Sequence, residues 1–140
     1  MTRMHDVDAI VELIETQFAA LNWAPGRDPD WMLFESGFRS DATLIPAARP
    51  AVRQSLGAFR SRLDGLRGNG LLHSFSERRT VLEIQIAGNV AVALAGCEMT
   101  ENDKNTTHDV SALLLVKDED GWRIANQAWD AVGAGAMPRT

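Results

Sequence analysis

His73, Phe75 and Glu77 stand at every second position, so on an extended strand their side chains share one face. An imidazole beside a carboxylate makes a good general base, because the acid orients the ring. The plainer alternative is a strand-end histidine next to a rim acid, since an isolated histidine on a strand is usually structural. Asp130 follows Trp129 near the end of the last apolar run. A carboxylate beside an indole loses solvent, which suits proton transfer; its alternative is an exposed terminal acid. His73 and Asp130 are the candidate catalytic bases, and Glu77 is the group that would orient the imidazole.

Other acids and the thiol are less specific. Asp41 falls in a polar turn, where aspartate commonly bonds its own backbone. Asp109 adjoins His108 at the head of a strand; neighbours point to opposite faces, so the two cannot act as a simple pair, but either can point inwards. Cys97 lies in an apolar strand, where a buried thiol behaves as a small hydrophobe. Nucleophilic use would need a base and an electropositive setting. Glu98 points away from Cys97 and Met99 and is either solvated or a pocket acid. Trp23, Trp31, Phe34, Phe38 and Phe59 concentrate aromatic surface in the N-terminal half. They are candidate walls for a small apolar or aromatic molecule, or simply core. Trp23 sits in a Pro/Gly loop and is the candidate rim.

These groups need elements to hold them. Val7, Ile10, Val11, Ile14, Phe18 and Leu21 repeat on one face of a helix. Asp28-Pro29 reads as the start of a second, short helix carrying Trp31 and Phe34. Residues 42–45 read as a short strand. Val52, Leu56, Phe59, Leu63 and Leu66 predict a third helix from about Pro50 into the break at Gly65–Gly70. Four antiparallel strands follow, over about 71–87, 90–100, 108–117 and 122–131, with Gly88-Asn89 at the first hairpin turn. The first of them changes parity: Leu72 and Phe75 do not alternate with Leu82, Ile84 and Ile86, which predicts a bulge between 75 and 82. The expected architecture is α+β, three N-terminal helices packed on a strongly curved antiparallel sheet around a conical cavity. One domain is expected over residues 1–132, with a mobile Gly/Ala/Pro tail over 133–140.

Composition narrows the function. The chain has 140 residues and a formal charge of −5, so one core is expected and a nucleic-acid footprint is not. The arginines of the third helix and Arg78-Arg79 are too scattered to make a basic stripe. One cysteine excludes an intramolecular disulfide, and three histidines supply a Cys/His metal cluster poorly, so no metal is expected. Gly65–Gly70 lacks the Lys-Ser/Thr ending of a phosphate loop. No apolar leader or span of about 18 residues is visible, so a cytoplasmic protein without membrane segments is the expectation.

Four stretches taken in order carry a resemblance. Phe38-Arg39-Ser40-Asp41-Ala42-Thr43-Leu44, Ile86-Ala87-Gly88-Asn89-Val90-Ala91-Val92, Asp120-Gly121-Trp122-Arg123-Ile124 with Trp129, and the acids of Phe75-Ser76-Glu77 and Glu98 are similar to the NTF2-like superfamily, in its bacterial SnoaL-like branch. The resemblance covers residues 6–132. It implies the cystatin-like cone and a homodimer through the outer sheet face, for which Trp129 or Trp122 would be the anchor. It also implies a small-molecule pocket with cofactor-free isomerase, cyclase or hydratase-type chemistry; the alternative is a non-catalytic ligand-binding or assembly domain. The steroid-isomerase, dehydratase and limonene-epoxide hydrolase relatives use tyrosines, and this chain has none. A buried Asp or His as base, as in the cyclases, remains available.

Overall fold

The computed structural model describes residues 3–133, and the expected tail beyond Gly133 lies outside them. Helix α1 (Arg3–Ala20) turns Ile10, Ile14 and Phe18 onto the sheet. Helix α2 (Trp31–Ser36) is capped by Asp30, whose side chain accepts from Leu33 N at 3.0 Å, rather than by Asp28. Asp28 is instead ion-paired to Arg67 at 2.6 Å. Strand β1 (Phe38–Pro46) is longer than its β-branched centre suggests, and it carries Asp41 as an exposed partner of Arg39 rather than in a turn. Helix α3 (Leu56–Gly68) begins later than Pro50. Ser55 supplies the N-cap by accepting from Ala58 N, and residues 54–55 are held as strand β2 against β1.

Strands β3 (Phe75–Ala87), β4 (Val90–Glu101), β5 (Asn105–Asp118) and β6 (Gly121–Val132) form the expected meander. The full sheet has six strands in the order β2-β1-β6-β5-β4-β3. It is mixed, not purely antiparallel, because β6 returns alongside β1 in the same direction. The parity switch is real: the β3–β4 register shifts between Arg79 and Val81, leaving Thr80 as the extra residue. A second shift, between Leu114 and Leu115, leaves Ala125 unopposed on β6. Both bend the sheet around the helices. Tight turns permit the meander. Gly88 has φ +60°, which favours glycine, and Asn102 and Asp103 take φ of 54° and 59° between β4 and β5. The Asn102 amide also accepts from His73 N and Ser74 N and donates to Leu71 O, tying the linker after α3 to that hairpin.

The inner face is set by register. Leu82, Ile84 and Ile86 oppose Ala95, Ala93 and Ala91, and beyond the bulge Arg79 and Glu77 oppose Cys97 and Met99. Small alanines in β4 leave room for Ile10, Ile14 and Phe18. Trp122 belongs to this core: it is 3 % exposed, and its indole N–H donates to Asp6, which also accepts from Lys117 Nζ. Trp129 points inwards too, against Phe59. Neither tryptophan anchors the outer face. That face is aliphatic, with Val90, Val92, Leu94 and Leu114 exposed. No helix among the described residues is long and apolar enough to cross a membrane.

Candidate functional site

Strand parity beyond the Thr80 bulge carries Glu77 of β3 to the inner face, and the β4–β5 register sets Cys97 directly opposite Asp109. One ligand atom from each of Glu77, Cys97 and Asp109 lies within 4.8 Å of the others. Burial dominates their proton affinities. It pushes Glu77 up to about 8, with the Asp109 charge adding to the effect. It pushes Asp109 up to about 6, partly offset by a hydrogen bond with the Cys97 thiol. The same burial, reinforced by both carboxyl groups, drives the thiol well above its ordinary range, so it stays a neutral donor. Asp109 is 5 % exposed, and its Oδ1 has no hydrogen-bond partner among the described residues. The sequence reading weighed only cysteine and histidine as metal ligands and did not reach this mixed trio.

The Glu77 and Asp109 carboxyls line a cavity of about 180 Å³. Phe18, Phe34, Phe59, Phe75 and Trp129 supply most of its apolar wall, with Leu21, Leu44, Leu63, Leu66 and Leu72. Its polar wall is a chain of hydrogen bonds. Gln17 Nε2 donates to Gln127 Oε1 at 2.6 Å, and Gln127 Nε2 donates to Ser111 Oγ at 3.2 Å. Arg62, Met99 and Glu101 complete the lining. The cavity thus combines an aromatic slot with two carboxyl groups, two amides and a hydroxyl.

The groups anticipated from sequence are divided by this geometry. Glu77 is in the cavity. His73 is exposed before β3, and it is not beside Glu77 in the cavity, because its backbone is pinned outside by Asn102. Asp130 is exposed, since it opposes Val110 on the outer face while Trp129 takes the inner position. Neither lines the cavity. Phe34 and Phe59 do; their rings stack with centroids 5.6 Å apart. Trp31 and Phe38 pack behind them, each touching Phe34. Trp23 is not a rim: it is 4 % exposed, stacked on Phe75 at 5.2 Å and covered by Arg67. Glu98 resolves as an outer-face acid, with Arg78 and His108 as partners.

Sequence alone does not find Ser111, Gln17, Gln127 or the inward side of Trp129, and it leaves Asp109 free to point inwards without assigning it a role. A signal existed, because Asp109 and Ser111 share parity with Leu113 and Leu115. It was masked because the opposite face of β5 also carries aliphatic residues, Val110, Ala112, Leu114 and Val116.

Residues 5–130 match the family described as "Putative lumazine-binding". The chain belongs to this family. Solved structures give the same fold. A "putative dehydratase from the NTF2-like family" of Streptomyces avermitilis superposes with a TM-score of 0.74 at 13% identity, covering 95% of this chain and 100% of that one. An NTF2-like protein with a cystatin-like fold from Novosphingobium aromaticivorans gives 0.73 at 14%, over 95% and 86% of the two chains. An NTF2-like protein from Methylobacillus flagellatus gives 0.61 at 22%, over 94% and 96%. The fold is therefore the NTF2-like, cystatin-like α+β cone. No curated protein sequence matches the chain.

Proposed function

We propose that this family member binds a flat, carbonyl-bearing ring and performs cofactor-free acid–base chemistry on it. The observation that carries this is the close pair of a half-buried Glu77 and a buried Asp109 in the wall of an aromatic cavity. Carboxyls this close resist ionising together. At neutral pH Glu77 keeps its proton and Asp109 is the anion. Asp109 is then the base that takes a proton from carbon beside a carbonyl, and Glu77 is the acid that supplies one. The same split pair complements the edge of a cyclic amide, an N–H facing Asp109 and a C=O facing Glu77. Lumazine, named in the family description, has such edges, and one structural neighbour is named a "putative dehydratase from the NTF2-like family".

Size decides between substrates. A dry cavity of about 150 Å³ is known to hold benzene, so about 180 Å³ holds one ring without rearrangement. It is below the usual range for ligand sites, about 300 Å³ upward. That small volume favours a second reading, a ligand-binding or assembly domain whose cone is largely filled by its own side chains. Deuterium exchange into cyclohexanone, followed by proton NMR in heavy water, separates the two. Accelerated exchange that disappears in Asp109→Asn supports catalysis. Binding without exchange supports the second reading, and equal exchange in Asp109→Asn overturns the assignment of the base.

The exposed aliphatic outer face supports a homodimer through that surface, since contiguous apolar patches on a sheet mark interaction sites. A single cysteine, Cys97, leaves no disulfide to form within the chain, and a cytoplasmic setting is the reading that needs none.

A further inference from the structure

Proton abstraction beside a carbonyl leaves negative charge on oxygen, and a preorganised donor aimed at that oxygen is worth more than almost any other single group. With no tyrosine in the chain, a phenol cannot supply it. We infer that the Ser111 hydroxyl is that donor, aimed by Gln127, which Gln17 holds in place. This rests on Asp109 being the base.

Ser111 is 3 % exposed and lines the cavity. Its oxygen accepts from Gln127 Nε2, which fills one lone pair and leaves the hydroxyl proton to be donated. Among the described residues that proton meets no acceptor; a buried hydroxyl normally finds one, from protein, water or ligand. A single hydrogen bond sets the orientation of Gln127. Gln127 is 4 % exposed and Gln17 3 %, and the 2.6 Å bond between them fixes the amide that addresses Ser111. Ser111 stands two residues from Asp109 on the same face of β5, and it opposes Trp129 across the β5–β6 ladder. Two residues along a strand span about 7 Å, which leaves room between base and donor for the H–C–C=O unit of an enolising substrate.

The step balances without a co-reactant. The C–H proton passes to the Asp109 carboxylate. The C–H electron pair becomes the new C=C bond, the carbonyl π pair moves to oxygen, and Ser111 donates to that oxygen. Asp109 returns that proton at the same carbon, or Glu77 supplies one at a conjugated carbon and is reprotonated from Asp109, so every group is regenerated.

The test uses 4-nitrophenol as an oxyanion probe and Asp109→Asn as the background, because asparagine imitates the base after it has taken its proton. Visible absorbance reports whether the bound probe is phenol or phenolate. Asp109→Asn should bind the phenolate. Adding Ser111→Ala should weaken phenolate binding about tenfold to a hundredfold, the worth of a hydrogen bond to a charged group, and shift the bound probe towards phenol. Ser111→Thr, which keeps the hydroxyl, should retain binding; Gln127→Leu should shift the absorbance as Ser111→Ala does. An effect of Ser111→Ala within twofold, in a variant with an unchanged circular dichroism spectrum, overturns the inference and leaves the pocket reading intact. No binding of the probe by Asp109→Asn refutes the pocket reading itself.

Discussion

Replacing Glu77 by glutamine should stabilise the protein, by an amount that grows with pH. A carboxyl whose folded-state pKa lies above its unfolded value favours folding while protonated. That contribution is fully present below the ordinary value of 4.5 and is lost as the pH rises through about 8. Each pKa unit is worth about 1.4 kcal/mol. The full displacement therefore costs wild type at most about 5 kcal/mol above pH 8, and on the order of 3 kcal/mol at pH 7. Glutamine has the same shape and no charge to bury, so it recovers most of this. Urea unfolding of both proteins at half-unit steps from pH 4 to 9, with the slope m checked for constancy, gives the difference directly. The curves should coincide near pH 4 and diverge above pH 5. Asp109→Asn, examined the same way, should gain only between about pH 4 and 6 and then level off. A glutamine effect that is flat across the range, or destabilising at high pH, would refute the reasoning, because it would mean that the Glu77 anion is well solvated or paired in the folded state.

Phe34→Ala should cost about 3–5 kcal/mol, since the ring is 1 % exposed and braces Trp31, Phe38 and Phe59; a loss below about 1 kcal/mol would show a loosely packed cone. Leu94→Lys on the outer face should convert a dimer to a monomer in equilibrium sedimentation; a wild-type protein already monomeric at micromolar concentration refutes the dimer. Asp30→Ala should cost about 1 kcal/mol by removing the cap on α2, read from the urea midpoint. Cys97 should resist an aromatic disulfide reagent in the native state and react on unfolding, because the thiol is 0 % exposed and burial keeps it protonated; prompt native reaction would show a loosely packed sheet face around β4.

Much of the frame was legible because local rules act on short stretches. The 3.6-residue spacing of Ile10, Ile14 and Phe18 gives α1, and the parity break between Phe75 and Leu82 gives the bulge at Thr80. Gly88 marks the first hairpin. Where two local signals competed, the structure chose. Val52 kept helical spacing with Leu56 but is exposed in the approach to α3, because Ser55 supplies a cap and residues 50–53 do not.

The site was less legible, and for one physical reason. On a strand the side-chain period is two, so a sequence states which residues share a face but not which face is inside. In β5 both faces are apolar, and only packing of α1 and α3 decides that Asp109 and Ser111 face the cavity while His108 does not. The same ambiguity inverted the tryptophans: the resemblance implied an outer-face dimer with Trp122 or Trp129 as its anchor, whereas Trp122 bonds Asp6 of α1 and Trp129 packs on Phe59 of α3. By itself, then, the sequence determined the elements, their order, the bulge, and the absence of a phenol. Tertiary structure alone decided which acids lose water. Desolvation depends on neighbours far apart in the chain: Glu77, Cys97 and Asp109 become one chemical unit only when three strands pair in register and the helices close over them.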